Sequence, residues 1–196
     1  LDRKRGYVIG DPVNGNWMIL ETLDGGESWK ALSNSPQADS GEAAFAASAS
    51  SLIATKGGLI FGTGGSVSNL HFYDFESKTW EKVKTPILQG ESSQGIFAIT
   101  QVNEKVIAVG GDYTKLDQRE RSAVLLKGRV FESPEILPSG FRSGVVFYED
   151  KNQLVAVGPS GSDFSLDQGM TWTNFSSIGY HAVKISPKRK TIWASG

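Results

Sequence analysis

The residues best suited to chemistry in this chain are three carboxylates at the borders of apolar runs. Asp11 and Asp112 each directly follow a Gly that closes such a run, and Glu42 precedes an Ala- and Phe-rich stretch. Two carboxylates facing each other across a cleft, about 5–10 Å apart, are what hydrolysis of a glycosidic bond requires. Tyr113, Arg119, Arg121, Arg142 and His181 supply further polar groups, the first three within the charged stretch 112–121. Each has a plainer role open to it. Asp11 and Asp112 can cap turns, Glu42 and His181 can bond neighbouring backbone, and residues 115–121 can form a solvated excursion. A lone His inside a strand, such as His71, reads as structural.

These residues are useful only if the chain's elements bring them together. The segments ending at Gly10, Gly64, Gly110, Gly158 and Gly196 each read as a short apolar strand closed by Gly, with separations of 54, 46, 48 and 38 residues. A period of about 40–50 residues with four strands per unit is that of a β-propeller blade. The expectation is an all-β chain of four-stranded antiparallel blades, in segments of about 6–35, 41–88, 93–138, 142–177 and 180–196. It opens on the second strand of one blade and closes after the second strand of another. It therefore reads as four to five blades of a longer, six- or seven-bladed propeller, since an open arc would expose strand edges.

An eight-residue pattern occurs twice, as Thr22-Leu-Asp24-Gly-Gly26-Glu-Ser-Trp29 and as Ser165-Leu-Asp167-Gln-Gly169-Met-Thr-Trp172. Both fit S/T-x-D-x-G-x-x-W. The hydroxyl and carboxylate can bond the turn's own backbone, Gly permits positive φ, and Trp packs beneath the corner. The pattern resembles the Asp-box of the BNR repeat, which lies at the outer hairpin of blades in sialidase-like and YCF48-like propellers. By that resemblance it is structural. The stretch from Tyr73 to Trp80 keeps the Trp but has Phe75 and Ser77 where the pattern has Asp and Gly, and also looks like a kelch-type hairpin. Leu125 to Phe131 reads as a hairpin through Gly128.

Composition suits a twisted sheet protein, with 23 Gly, five Trp, five Tyr and ten Phe. No window sustains an apolar period of 3.6. The alanines between Gly41 and Ser48 favour helix by propensity. Alignment of this stretch with Gln94 to Thr100 makes it instead a narrow inner strand. A net charge of -1 leaves no electrostatic footprint for nucleic acid. The basic runs Arg3-Lys4-Arg5 and Lys188-Arg189-Lys190 read as solvated turns or ends. The chain has no Cys, so disulfides and thiolate chemistry are excluded. With His71 and His181 in different blade positions, no metal site and no cofactor is expected.

The stretches 10–15, 41–48, 93–97 and 110–113 are similar to signature stretches of a YCF48-related group of bacterial propellers, commonly from Bacteroidetes and often labelled oxidoreductase. Nearly the whole chain shares the likeness. No redox site is expected, because Gly62-Thr-Gly-Gly65 is not G-x-G-x-x-G and no helix follows it to receive a pyrophosphate. In a propeller, the loops before the inner strand and between second and third strands share the face where ligands usually bind. Inner-strand alignment places Glu42, Gln94, Ser143 and His181 at one equivalent position around the channel mouth. The resulting candidate binding set is Asp11, Glu42, Gln94, Asp112, Tyr113, Arg119, Arg121, Arg142 and His181.

The resemblance implies a non-catalytic module that binds a protein or a glycan, periplasmic or secreted. The alternative is a glycoside hydrolase of sialidase or endo-glucanase type using the three carboxylates. A sialidase also needs an arginine cluster and an Arg-Ile-Pro motif, and Arg142 with Tyr113 does not make that site. No apolar run is long enough to span a bilayer, and no signal peptide is read in the chain.

Overall fold

The computed structural model describes residues 3–46, 50–186 and 190–196. The end of the Ala-rich stretch, at Ser48, and Lys188 and Arg189 of the second basic run lie outside the described residues. The strands, in chain order, form successive antiparallel sheets. Sheet I holds β1 (Gly6–Val13), β2 (Asn16–Thr22) and β3 (Lys30–Ala31). The short β4 (Glu42–Ala43) follows. Sheet II holds β5 (Leu52–Ala54), β6 (Gly58–Gly62), β8 (Asn69–Asp74) and β9 (Trp80–Lys84), with β7 (Gly64–Gly65) leaving it after β6. Sheet III holds β10 (Gln94–Val102), β11 (Lys105–Asp112), β12 (Ala123–Lys127) and β13 (Val130–Glu132), and beyond β10 it is continued by β7 and β4. Sheet IV holds β14 (Gly144–Tyr148), β15 (Gln153–Gly158), β16 (Gly161–Ser165) and β17 (Thr173–Ser176). Sheet V pairs β18 (Ala182–Ser186) with β19 (Thr191–Ser195).

Strand periodicity explains how the sheets stack. Along β11, Ile107 and Val109 face one way while Val106 and Ala108 face the other, and β12 alternates in the same manner. Both faces of a central sheet are therefore apolar, as expected when it is packed on each side. The core is divided into layers between consecutive sheets. Trp17, Ile19 and Phe61 join sheets I and II. Ile60, Leu70, Ile96 and Val124 lie between II and III. Leu125, Val145, Leu154 and Trp172 lie between III and IV, and Val155, Val157 and Val183 between IV and V.

Of the inner strand expected across residues 41–48, Glu42 and Ala43 are in strand among the described residues, paired with β7, and sheet II takes Leu52–Ala54 as its first strand. The glycines of β7 and β10 let these two strands approach closely. Gly64 pairs with Gly95, and a Cβ on Gly95 would fall 2.2 Å from the Gly64 Cα. The hairpin through Gly128 joins β12 to β13, with Gly128 at a φ of 60°.

Candidate functional site

Glu42, at the start of β4, is buried beneath the edge of sheet II. Its Oε1 accepts from Thr63 Oγ1 at 2.5 Å, His71 Nε2 at 2.8 Å and Asn69 Nδ2 at 2.9 Å, and its Oε2 accepts from the Asp39 amide at 2.8 Å. Burial raises the carboxyl's pKa, but these donors outweigh it and hold the pKa below the ordinary range. A carboxylate can only accept, so His71 donates through Nε2 and carries its proton there. His71 stacks on Phe61 at 4.4 Å, and its Nδ1 is buried with no partner among the described residues. Asn69 extends the network to Asp39, which Lys82 reaches at 2.6 Å near the surface. His71 is thus structural, as its position in a strand implies, and its tie to Glu42 spans 29 residues.

Gln94 and Asp112 face each other at the paired ends of β10 and β11. Gln94 Nε2 donates to Asp112 Oδ2 at 3.1 Å, while the Thr114 amide and hydroxyl donate to Oδ1 at 2.9 and 2.6 Å. Burial raises the Asp112 pKa, yet these hydrogen bonds bring it down to about 2. Asp112 is therefore a buried turn cap. Asp11 is exposed and caps the neighbouring crossing, its Oδ1 accepting from the Ala44 amide at 3.1 Å.

Two of the arginines in the candidate set are also engaged through their side chains. Arg142 has no exposed side-chain surface; its Nε donates to Asp163 Oδ2 at 2.5 Å, and Nη1 donates to the Phe141 carbonyl at 2.7 Å. The expectation of Arg142 on the channel face is corrected: it lies under that face, where a buried carboxylate on β16 neutralises it. Arg119 donates to the carbonyls of Leu137 and Pro138 at 2.7 and 3.0 Å, pinning its loop to the crossing between sheets III and IV. Arg121 is exposed with a φ of 53°, and its carbonyl accepts from the Leu88 amide. His181 is exposed, and its carbonyl accepts from Ser143 Oγ at 2.8 Å. The structure joins Gln94 to Asp112, and Ser143 to the His181 backbone. It gives no bond between the three carboxylates and the arginines of the set.

Tyr113 is the aromatic member of the set and is 48% exposed. Its ring stands edge-on to a parallel pair, Phe45 and Phe97, whose centroids are 3.9 Å apart. Phe141 meets Phe97 from the far side at 4.7 Å. A β-bulge puts Phe97 there: Ile96 pairs with Gly110 and Ala98 with Val109, leaving Phe97 as the extra residue, turned out of both core layers. Neither phenylalanine belongs to the candidate set. The signal that points to them is their shared place three residues after Glu42 and Gln94 in the aligned inner strands.

The repeated pattern forms two matching hairpins. In the first, Thr22 Oγ1 donates to Asp24 Oδ1 and accepts from the Gly26 amide, Ser28 donates to both Asp24 oxygens, and Trp29 Nε1 donates to the Gly26 carbonyl. In the second, Ser165, Asp167, Gly169, Thr171 and Trp172 make the same five bonds. Between Tyr73 and Trp80, Asp74 instead caps the turn, accepting from the Ser77 amide at 2.7 Å. Among the described residues no group of three or more His, Cys, Asp or Glu is placed to hold a metal ion. No helix among them is long and apolar enough to cross a membrane.

Stacked four-stranded antiparallel sheets with their core layered between them define a protein of the β-propeller class. No protein-family model and no curated protein matches the chain. Among solved structures it is similar to "YCF48 bound to D1 peptide", at 15% identity and a TM-score of 0.52. The match covers 98% of this chain and 57% of that one, so the chain spans little more than half the length of its structural neighbour. At such identity the likeness speaks for the fold. That neighbour was solved with a peptide bound.

Proposed function

We propose that this chain is a non-catalytic propeller module that holds a protein segment on the face where the inner strands begin, with Tyr113 as its outermost contact. The observation that carries the reading is the contrast in that face's chemistry. Its carboxylates are spent on backbone and side-chain bonds, while an aromatic ring is presented to solvent on a rigid aromatic base. A hydrolase needs a general acid and a second carboxylate open to substrate. Glu42 and Asp112, both buried and fully bonded, do not supply them. Aromatic anchors of low conformational entropy are what protein-binding surfaces favour. A propeller fold and a peptide-bound neighbour support the same reading, and the periplasmic or secreted setting of the related bacterial group belongs to the proposal. A YCF48-like lineage is part of it as well.

A photoreactive residue at position 113 tests it. Crosslinking in the native host should give a discrete protein adduct, absent when the same residue replaces the exposed Val130 on the outer hairpin of sheet III. Turnover of a glycan panel, lost in Glu42→Gln or Asp112→Asn proteins that still fold, would overturn the reading in favour of hydrolysis.

A further inference from the structure

The end of the strands that carries Tyr113 also carries charge. Four carboxylates lie there: Asp11, Glu42, Glu91 and Asp112. Asp11 reaches the Ala44 amide, next to Phe45 in the chain. Glu91 precedes β10, and its carbonyl accepts from the Gln94 amide at 3.0 Å. The Tyr113 amide donates to the Ser93 carbonyl at 3.3 Å, so residues 91–94 run beside Tyr113.

Hydrogen bonds from uncharged donors hold a carboxylate in place without cancelling its charge. Glu42 and Asp112 are buried, and what they accept comes from hydroxyls, amides and the His71 ring, with no Lys or Arg among their partners. The same bonds outweigh the effect of burial and keep both carboxyl pKa values low, so both are anionic at neutral pH. Asp11 and Glu91 are exposed, and neither makes an ion pair among the described residues.

The cations of this end do not balance them. Arg142 is taken by Asp163, and Lys82 by Asp39. The loop 115–121 sets Lys115, Arg119 and Arg121 against Asp117 and Glu120, which leaves one positive charge in excess. Four carboxylates against that one charge make this face more negative than the whole chain, whose net charge is -1. Carboxylates held beneath a low-dielectric aromatic surface focus their field outward at its mouth.

An exposed aromatic ring in such a field is suited to a cation, because its quadrupole and the carboxylates attract the same sign of charge. The faces of Phe45 and Phe97 are spent on one another at 3.9 Å, which leaves Tyr113 as the exposed ring. Among the described residues no Lys or Arg stands over it.

We propose that the segment held on this face is basic, and that a Lys or Arg of the partner lies against the Tyr113 ring in the field of Asp11 and Glu91. The inference rests on the reading that this face holds a protein segment, and adds the chemistry of that segment.

Fluorescence anisotropy of the purified chain with labelled Gly-Ser peptides tests it, the peptides carrying a run of Lys, of trimethyl-lysine, of the uncharged tert-butyl isostere of trimethyl-lysine, or of Glu. The two cationic peptides should bind, the isostere should bind about tenfold more weakly, and the Glu peptide should not bind. Tyr113→Leu, which removes the ring and keeps apolar bulk, should weaken Lys-peptide binding about tenfold, and Tyr113→Phe should retain it. Asp11→Asn with Glu91→Gln should weaken it by about as much, since Asn keeps an acceptor for the Ala44 amide. Glu76→Gln, exposed at the outer hairpin of sheet II, should change nothing. Preference for the isostere or the Glu peptide, lost in Tyr113→Leu, would overturn the inference and leave the protein-binding reading intact. Lys-peptide affinity unmoved by Tyr113→Leu and by the double variant would also overturn it, as would failure of every peptide; the protein-binding reading then stands or falls on the adduct from position 113.

Discussion

Trp29 and Trp172 close two hairpins whose five internal hydrogen bonds correspond one for one, yet Trp29 is 41% exposed and Trp172 only 3%. The second hairpin is clasped by the neighbouring sheet. The amides of Glu135 and Trp172 exchange bonds with Met170 and Ile136 carbonyls, and the indole enters the layer that holds Leu125 and Leu154. Among the described residues, the first is held by the segment that leads into β1, through the Lys4 carbonyl and the Gly6 backbone beneath the indole. The motif thus specifies a turn, and the neighbouring sheet decides whether the tryptophan becomes core. Its eight residues carry no information about that second step.

The sharpest way to break this comparison is to truncate both indoles. Trp172→Ala should lower stability by about 3–5 kcal/mol, as for a large core aromatic, whereas Trp29→Ala should cost about 1 kcal/mol or less, near the range of surface changes. Equal losses in urea titration would mean the hairpins contribute alike despite their burial.

A second contrast lies two residues before each motif, where β16 carries Asp163 and β2 carries Leu20. Asp163→Leu leaves Arg142 buried and unpaired, and should cost about 3 kcal/mol or more. Adding Arg142→Met should recover most of that loss, since it removes the buried charge left without its partner. Thermal melts of the single and double variants check it.

If the local networks are equivalent, removing their hydroxyls must cost the same. Ser165→Ala and Thr22→Val should each lose about 1 kcal/mol, with the two values agreeing more closely than those of the tryptophans. The smallest effect concerns acid. Bonds from Ser28 and Thr22 hold the Asp24 carboxyl below its ordinary value; at Asp167, partial burial raises the pKa but bonds from Thr171 and Ser165 outweigh it. A lowered folded-state pKa means the unfolded chain binds protons first. The contribution is complete above about pH 4 and fades as pH falls further. Between pH 5 and pH 2, the melting temperature of an Asp24→Asn, Asp167→Asn double variant should fall less steeply than that of the wild type.

Much of the fold was legible because its signals are local. The two motifs, the apolar strands through Gly10, Gly110 and Gly158 and the Gly128 turn need only near neighbours in sequence, although Gly10 and Gly110 lie inside β1 and β11 rather than at their ends. That sheet II takes Leu52–Ala54 as its first strand was not, because Ala and Ser lack the side-chain contrast from which a period can be read. Within the candidate site, the shared position of Glu42, Gln94 and Ser143 at the entry to inner strands was readable from alignment. Their partners were not. Glu42 meets His71 across 29 residues and Arg142 meets Asp163 across 21. An Arg in a polar stretch looks like surface until the carboxylate beneath it is known. The aromatic base under Tyr113 depends on a bulge at Phe97, which has no composition of its own.

The four apolar layers between the sheets have no side chain in common. Damage is therefore compartmented: a hole opened in one layer cannot be filled from the next, nor does it spread there, because each sheet negotiates only with its neighbours. For a lineage, that arrangement lets one blade drift, acquire a longer loop or carry a different hairpin, as the Tyr73–Trp80 turn differs from the other two, while the others keep their shape.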